Sequence, residues 1–417
     1  MQLENIKNQD PQIAEAIKKE LIRQQHVIEL IPSENFVSRA VLEALGTVLT
    51  NKYSEGYPGN RYYGGTENVD IIEQLAIDRA KELFQAEHAN VQPLSGAPAN
   101  IAAYFAILKP GDTILGMDLS HGGHLTHGHP VTSMSKVFNF VRYKTDPESG
   151  LIDYDNLREM AIEHKPQLIL VGYSAYSREI DYKKVKEIAE EVGALTMADI
   201  AHIAGLIAAG KMNNPVPIFD VATTTTHKTL RGPRGGMIMC KAEHAKKVDK
   251  AVFPGLQGGP HEHNIAAKAI AFGEALKPEF QTYAEQVMLN AKALEETLKK
   301  HDFKIMFKTT ENHLLLIDVS NKNISGKQAQ EVLDEIGITC NKNMIPDDPR
   351  SPMDPSGIRV GTPAMTSRGF TEEDFVEVGE IMNSVLDNPS DESVKSQAKE
   401  KVLSLTDKHP LYPELTY

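Results

Sequence analysis

The chain has 417 residues, of which 41% are hydrophobic and 24% charged, so it can bury a large core and its composition argues against disorder. Lys and Arg total 44 against 57 Asp and Glu, and the net charge of −13 argues against nucleic acid or an anionic membrane surface as a partner. Two distant cysteines and interrupted apolar stretches argue against a disulfide framework and a membrane span, and favour a cytoplasmic protein.

The first predicted element is an N-terminal helix. Asp10 has the features of its N-cap, Pro11 takes the first helical position, and Ile13, Ile17 and Leu21 recur every four residues on one face. This face can pack on its own domain or reach over a partner subunit.

Between about residues 70 and 275, helical patterns alternate with short apolar runs. The helical pattern begins with 71–83, and the predicted strands are 113–117, 168–171, 194–198, 221–226 and 237–240. This alternation is typical of an α/β domain, in which helices cover both faces of a mostly parallel sheet.

The last third of the chain has a mixed pattern. It combines a helix over 280–300, strands at 304–307, 313–319 and 357–360, and amphipathic helices at 327–336, 372–386 and 392–405. We predict a smaller α+β C-terminal domain there. The predicted organisation is a helical arm over 1–28, a large domain over 29–280 and a small domain over 281–417.

The most informative stretch is 223–236, where four threonines lead into His227, Lys228 and a glycine-rich turn. The β-branched run predicts a strand, so Lys228 is expected at a strand end beside a tight loop, where open α/β sheets bind ligands. A lysine amine in a partly apolar pocket can lose its proton and add to a carbonyl, forming a Schiff base. The alternative is an ordinary surface lysine.

Asp199 follows the predicted strand 194–198. One strand–helix–strand unit separates it from Lys228, so both are expected at the same edge of the sheet. Such a carboxylate either caps a helix or binds a ligand. Beside a Schiff-base lysine it suits pyridoxal phosphate, because it can keep the pyridine nitrogen protonated and make the ring an electron sink.

Ser95 and Gly96 precede an apolar helical pattern. A Ser-Gly turn at a helix start leaves free backbone N–H groups and a positive dipole end, which can bind a phosphate. Plain helix capping by Ser95 is the competing interpretation.

Four histidines, His121, His124, His127 and His129, fall within nine residues that also contain glycines. A zinc or iron site is one interpretation, but no cysteine or carboxylate stands within the loop to complete a ligand set. We therefore predict no metal, and expect one imidazole to lie on an aromatic cofactor while the others make structural hydrogen bonds.

Two further segments carry candidate residues. The Gly-rich segment 51–65 holds four tyrosines and Glu55, and is interpreted either as a subunit interface or as part of the site. Arg359 lies in a strand-like apolar context, where its planar fork suits a substrate carboxylate or an ordinary salt bridge.

Taken together, these segments resemble the serine hydroxymethyltransferase family, pyridoxal-phosphate enzymes of the aspartate-aminotransferase-like fold (fold type I). The resemblance extends over essentially the whole chain. Its motifs occur in order at 28–35, 51–65, 121–128, 199–202, 223–229, 254–260, 341–343 and 357–363.

The resemblance implies roles for individual residues. Lys228 would form the Schiff base with pyridoxal 5′-phosphate, Asp199 would pair with the pyridine nitrogen, His124 would stack on the ring and His202 would contact its 3′-oxygen. The other implied cofactor contacts are Ser95, Gly96, Ser174, His227 and Arg234, with Tyr53, Gly258 and Gly259 from a second subunit. The implied catalytic set is Lys228, Glu55, His124, Asp199 and Thr225.

The resemblance also implies the substrates, L-serine or glycine with tetrahydrofolate as co-substrate. Arg359 and Ser33 would bind the amino-acid carboxylate, Glu55 would transfer a proton at the substrate hydroxyl and the folate, and Tyr63 would line the site from across the interface. Leu119, Leu125 and Asn343 match positions around the pterin. If Tyr53 and Glu55 cross an interface, the working unit is a homodimer with shared active sites.

Two positions depart from the family pattern. Ala97 stands where the family usually has a second hydroxyl, and Leu94 where it commonly has a histidine or tyrosine. We expect the lost hydrogen bond to weaken cofactor binding by about 0.5–1.5 kcal/mol.

Several rival functions remain at this point. The nearest are a folate-independent β-hydroxy-amino-acid aldolase and a hydroxymethyltransferase for α-methylserine. The histidine-rich loop leaves open a metal-dependent hydrolase, and a non-catalytic scaffold would bind the cofactor without forming product.

Overall fold

The structure is a computed structural model that describes residues 3–415. The contacts divide these residues into two compact units, one over 37–285 and the other formed by the residues up to 36 together with those from 286 onward. The finer division into an arm and two domains stays a prediction.

Numbered along the described chain, the helices are α1 (Glu4–Gln9), α2 (Pro11–His26), α3 (Arg39–Leu45), α4 (Glu67–Phe84), α5 (Gly96–Ile107), α6 (Tyr154–His164), α7 (Tyr182–Val192), α8 (Ala204–Ala208), α9 (Ala245–Lys250), α10 (Glu262–Ala275), α11 (Pro278–Lys300), α12 (Gly326–Glu335), α13 (Pro363–Arg368), α14 (Glu372–Asp387) and α15 (Glu392–Lys408). The strands are β1 (Ile28–Glu29), β2 (Gly56–Tyr57), β3 (Asn60–Arg61), β4 (His88–Asn90), β5 (Thr113–Met117), β6 (Asn139–Tyr143), β7 (Leu168–Gly172), β8 (Leu195–Asp199), β9 (Val221–Thr225), β10 (Gly236–Cys240), β11 (Lys304–Ile305), β12 (Leu314–Asp318), β13 (Ile338–Thr339), β14 (Asn341–Asn343) and β15 (Gly357–Gly361).

The predicted N-terminal helix is confirmed as α2. The side chain of Asp10 accepts hydrogen bonds from the backbone N–H groups of Gln12 and Ile13, each at 3.1 Å. Pro11 takes the first helical position, where its missing N–H has no intrahelical role.

The 37–285 unit is built on a seven-stranded sheet in the order β4-β10-β9-β8-β7-β5-β6. Strands β5 to β9 run parallel, whereas β10 is antiparallel to both β9 and β4. This confirms the α/β fold class with a mostly parallel sheet, consistent with fold type I. The predicted strands occupy the middle of the sheet, and the unpredicted β4 and β6 lie at its two edges.

Helix α5 packs on this sheet through small and aromatic side chains. Ala102, Ala103 and Tyr104 join a buried cluster with residues of successive strands, among them Leu170, Met197, Val221 and Ile238. Central strands such as β7 and β8 are buried on both faces, so almost all of their residues are apolar. This continuous apolar pattern made the strands predictable.

The other unit is α+β, as expected. Its antiparallel sheet has the order β11-β12-β15-β14, and β1 pairs in parallel with β13. Buried residues of β12 and β15 share a core with those of α12, α14 and α15. None of the helices between residues 3 and 415 has the combined length and apolar character needed to cross a bilayer.

Candidate active site

Lys228 and Asp199 lie at the same edge of the seven-stranded sheet. Asp199 is the last residue of β8, and Lys228 follows three residues after the end of the adjacent parallel strand β9. The two connecting segments are joined, since Thr229 Oγ1 donates to the carbonyl of His202 at 2.8 Å. Lys228 is only 8% exposed, so it is not the surface lysine of the alternative interpretation.

The Asp199 carboxylate makes contacts with three segments. Oδ1 accepts from the Ala201 N–H at 3.1 Å, so the residue does cap its local turn. Oδ2 accepts from Asn100 Nδ2 at 2.8 Å and lies 3.0 Å from His127 Nε2. Burial works to raise the pKa of Asp199, but the hydrogen bond and charge of His127 outweigh it and hold the pKa well below its ordinary value. The acid is therefore ionised.

The histidine-rich loop contributes two imidazoles to this edge. His124 is half-buried, its Nδ1 lies 2.7 Å from Thr126 Oγ1, and its ring centroid is 5.6 Å from that of the buried His127. Potential metal-ligand atoms of His124, His127 and Asp199 lie within 4.8 Å of one another. The loop sequence contains no carboxylate to complete a metal-ligand set, but the structure brings the Asp199 carboxylate to it from β8. His127 and Asp199 are, however, already paired with each other.

The start of α5 is held against the ends of β9 and β10. A Cβ on Gly96 would lie 2.7 Å from Thr225 Cγ2, and one on Gly236 would lie 2.5 Å from the Ser95 carbonyl oxygen, so both positions require glycine. In the described structure Ser95 stands at the N-cap of α5 without a side-chain capping hydrogen bond. The first turn of α5 thus presents N–H groups beside Thr225, an arrangement that suits an anion.

Leu94 and Ala97 flank this turn. The Leu94 side chain is exposed, and its backbone N–H donates to Gln257 Oε1 at 3.1 Å. Ala97 is half-buried in the first turn of α5. Their effect on cofactor affinity stays a prediction.

Other predicted cofactor residues border the same edge. Ser174 follows β7, and its Oγ donates to the Gly123 carbonyl at 2.8 Å, which ties this strand end to the histidine-rich loop. Burial and the nearby Arg234 lower the pKa of His227 to about 3, so its imidazole is neutral. Arg234 itself is exposed in the turn before β10, and His202 is buried after β8.

Five predicted residues form a second group in this unit, which we call the Glu55 cluster: Tyr53, Glu55, Tyr63, Gly258 and Gly259. Tyr53 Oη donates to Glu55 Oε1 at 3.2 Å, and the Tyr53 and Tyr63 rings meet edge-on with centroids 5.2 Å apart. A Cβ on Gly258 would lie 3.3 Å from Glu55 Oε1, and one on Gly259 would lie 3.1 Å from the Tyr53 ring. Both tyrosines are exposed, at 54% and 48%.

The positions matched to the pterin lie in two places. Leu119 opens a short 3₁₀ turn after β5, and Leu125, which is exposed, lies in the histidine-rich loop. Asn343 belongs to β14 of the other unit, opposite Gly357 of β15.

Arg359 lies in the middle of β15, in the 286-onward part of the other unit. Its Nε donates to Asn341 Oδ1 at 3.0 Å, a neutral partner rather than an acid at this nitrogen. Burial lowers the pKa of Arg359 to about 10, which still leaves it charged at neutral pH. Ser33 is half-buried in the segment after β1, which is joined to β15 by a 2.7 Å bond from the Gly361 N–H to the Leu30 carbonyl.

A comparison with known protein families finds a match to a family model described as serine hydroxymethyltransferase over residues 6–382. The chain belongs to the serine hydroxymethyltransferase family. Members of this family are pyridoxal-phosphate-dependent transferases, so the chain is an enzyme of that type. The family can also include related aldolases.

The residues at the sheet edge fit pyridoxal phosphate. An ionised, buried Asp199 matches a protonated pyridine nitrogen, and Lys228 supplies the amine that this cofactor requires. The N–H groups opening α5 match the phosphate, and the half-buried His124 provides a flat ring face. The chemistry of these residues therefore fits pyridoxal phosphate, the cofactor of the family.

Sequence reasoning assigned no specific role to several residues of this site. Asn100 of α5 bridges three elements, since its Nδ2 also donates to Thr126 Oγ1 at 2.8 Å and its Oδ1 accepts from Thr223 at 2.6 Å. The sequence signal that could have identified Asn100 is an asparagine within an alanine-rich apolar helix, because a buried amide needs hydrogen-bond partners. His127 was visible only as one of four loop histidines.

Proposed function

We propose that the protein catalyses the reversible conversion of L-serine and tetrahydrofolate to glycine and 5,10-methylenetetrahydrofolate, with pyridoxal 5′-phosphate bound at the edge of the seven-stranded sheet. The observation that carries this proposal is the placement of Lys228 and an ionised Asp199 at the ends of adjacent parallel strands, in a chain of this family. When bound, the cofactor supplies an electron sink for the carbon from which the hydroxymethyl group departs.

The cofactor would be held by residues of one edge. Lys228 would bind its aldehyde carbon, Asp199 would hold the proton on its pyridine nitrogen, and the first turn of α5 with Ser95 and Gly96 would bind its phosphate. The remaining proposed contacts are His124 on the ring face, His202 at the 3′-oxygen, and Ser174, Thr225, His227 and Arg234 around the site.

Glu55 is the proposed acid–base group. Its Oε1 accepts from Tyr53, which leaves Oε2 to hold or accept a proton at the substrate hydroxyl and at folate nitrogens. Arg359 and Ser33 would bind the substrate carboxylate, since the planar guanidinium of a charged arginine suits a bidentate contact with a carboxylate. Leu119, Leu125 and Asn343 would contact the pterin, and Tyr63 would line the site.

We propose that the working unit is a homodimer in which Tyr53, Glu55, Tyr63, Gly258 and Gly259 serve the partner's site. The support is a concentration of exposed large side chains over 48–75, too many for a surface that faces only water. These are Val48, Tyr53, Tyr62, Tyr63, Ile71 and Leu75.

We also propose a cytoplasmic location. Cys240 and Cys340 are both buried as free thiols, which suits a reducing compartment.

The reaction is tested by measuring glycine formation from L-serine with and without tetrahydrofolate. We expect formation to depend on tetrahydrofolate and to yield methylenetetrahydrofolate in equal amount. Equal rates of glycine formation with and without tetrahydrofolate would favour the folate-independent aldolase. Turnover of α-methylserine in place of serine would favour the α-methylserine hydroxymethyltransferase.

The anchor is tested by borohydride trapping of the cofactor. Wild type should retain a covalent adduct on Lys228, and Lys228→Ala should retain none. A trapped adduct that survives in Lys228→Ala would assign the Schiff base to another lysine.

The shared site is tested by subunit mixing. Lys228→Ala and Glu55→Gln should each be nearly inactive alone, but co-refolding them in equal amounts should restore about a quarter of wild-type activity, since half of the dimers would carry one intact site. No recovery in verified mixed dimers would place Glu55 in its own subunit's site.

A further inference from the structure

A buried lysine outside the proposed mechanism lies behind the cofactor site. Lys268 of α10 is 1% exposed, and its Nζ donates to three backbone carbonyls, those of Val91 at 2.6 Å, Gly236 at 2.9 Å and Pro93 at 3.1 Å. An ammonium has three N–H donors, so these three acceptors match its charged form.

The three carbonyls belong to the two segments that enclose Ser95. Val91 and Pro93 lie in the connection from β4 to α5, which ends at Ser95, and Gly236 opens β10. The Gly236 N–H donates back to the Pro93 carbonyl at 3.0 Å. Lys268 thus ties the approach to α5 to the strand whose first residue packs on Ser95.

The surrounding chain is shaped to admit this side chain. A Cβ on Gly235 would lie 2.4 Å from Lys268 Cε, so the turn before β10 needs glycine where the lysine passes. Burial lowers the pKa of Lys268 to about 7, and the carboxylate of Glu73 opposes this shift. Burying an ammonium is costly, and the three hydrogen bonds to backbone carbonyls offset that cost.

We propose that Lys268 is a positioning residue for the phosphate-binding turn of α5, acting through the carbonyls of Val91, Pro93 and Gly236. It touches neither cofactor nor substrate. By holding both flanks of Ser95, it sets the direction of the N–H groups that the phosphate meets. The inference rests on the proposed function, because it presumes that pyridoxal phosphate binds at this turn.

The test compares two ligands that differ only in the phosphate. Full-length apoprotein of Lys268→Met is titrated with pyridoxal 5′-phosphate and with pyridoxal, and the dissociation constants are compared with those of wild type. We expect binding of pyridoxal phosphate to weaken about tenfold or more, while pyridoxal changes by less than about twofold. Methionine keeps the length of the side chain and removes its donors.

Phe272→Leu is the matched control. Phe272 is buried in the same helix, and its apolar ring cannot donate to the carbonyls, so this variant loosens α10 without releasing the turn. Its two dissociation constants should change by the same factor. Lys268→Gln keeps two N–H donors. Its ratio of the dissociation constant for pyridoxal phosphate to that for pyridoxal should lie between the ratios of Lys268→Met and wild type. If Lys268→Met does not fold, Lys268→Gln provides the comparison with wild type.

If the Lys268 variants bind both ligands more weakly by the same factor, Lys268 contributes only to the general stability of the protein, and the inference is overturned. Unchanged affinity for pyridoxal phosphate would also overturn it. These results differ from failure of the proposed function, in which wild type itself would bind no pyridoxal phosphate and give no borohydride-trapped adduct.

Discussion

The His127 Nε2 and Asp199 Oδ2 atoms lie 3.0 Å apart, although 72 residues separate them in the chain. Asn100 donates to the same oxygen from helix α5. A histidine of the glycine-rich loop and an amide of the phosphate-binding helix therefore hold the carboxylate that meets the cofactor's pyridine nitrogen in the proposed site. Of the four histidines that suggested a metal centre, His127 has the Asp199 carboxylate as its partner in the structure.

Replacing His127 should weaken the cofactor site through Asp199. In His127→Leu the carboxylate loses one hydrogen bond, which we expect to weaken binding of pyridoxal phosphate by about tenfold, within the range of about 1–3 kcal/mol for a buried polar group left unpaired. Titration of the apoprotein measures this. His129→Leu is the control, because His129 Nδ1 accepts from the Val131 N–H in the same loop; an equal loss in both variants would contradict the role of His127.

The same variant should change acid stability. The pKa of Asp199 is depressed in the folded state, so its contribution to the unfolding free energy is present above the unfolded pKa and is lost as pH falls through the folded pKa. Without His127 the folded pKa rises, so acid unfolding of His127→Leu should begin at a higher pH than that of wild type. Denaturation curves between about pH 2 and 5 check this.

Gly96 and Thr225 should behave as a coupled pair. A Cβ on Gly96 would lie 2.7 Å from Thr225 Cγ2, so Gly96→Ala should lower the unfolding free energy by about 1–3 kcal/mol through overpacking. Thr225→Ser removes that methyl group, and the same alanine substitution should cost much less in its presence. A double-mutant cycle by chemical denaturation measures the coupling; additive effects would show that another contact limits Gly96.

Glu55→Gln should impair chemistry and spare cofactor binding. General acid–base catalysis contributes about 10²–10⁴-fold, so serine turnover should fall by that order while the absorbance of the bound cofactor is kept. Glu67→Gln, at an exposed carboxylate in the first turn of α4, should leave turnover unchanged. Normal turnover by Glu55→Gln would remove this residue from the mechanism.

Glu262 should make stability depend on pH near neutrality. Its carboxyl is buried, Ser54 Oγ donates to Oε1 at 2.5 Å, and Arg61 Nη2 lies 3.9 Å from the same oxygen. Burial raises the pKa of Glu262 from 4.5 to about 7, with Glu73 and Asp70 adding to the shift and Ser54 and Arg61 opposing it. Between these two pKa values the folded state holds a proton that the unfolded state releases. The contribution of Glu262 to the unfolding free energy is therefore fully present below the unfolded pKa and is lost as pH rises through about 7.

Glu262→Gln removes that titration. The unfolding free energy of wild type relative to this variant should fall by on the order of 2 kcal/mol between about pH 5 and pH 7.5. Denaturant unfolding at several pH values measures the difference. Parallel pH profiles for the two proteins would contradict the raised pKa.

The elements of the large sheet could be predicted because their signals are local. Buried strands such as β7 and β8 are short apolar runs, since both of their faces are covered. The edge strand β6 was missed because most of its residues are only partly buried or exposed, so its composition is mixed. Strand β14 was missed for the same reason, as its three residues are all polar and half-buried.

The sequence by itself determined the α/β class and the central strands β5, β7, β8, β9 and β10 of the large sheet. It also gave the expectation that Lys228 and Asp199 share one edge, because one strand–helix–strand unit joins them and such crossovers run parallel. Only the tertiary structure decided which side chains surround that edge. The partners of Asp199 lie 72 and 99 residues away from it, and the carbonyl ligands of Lys268 lie up to 177 residues from the lysine. Contacts over such separations depend on how buried polar groups find acceptors once the helices pack on the sheet, and no local pattern encodes that pairing.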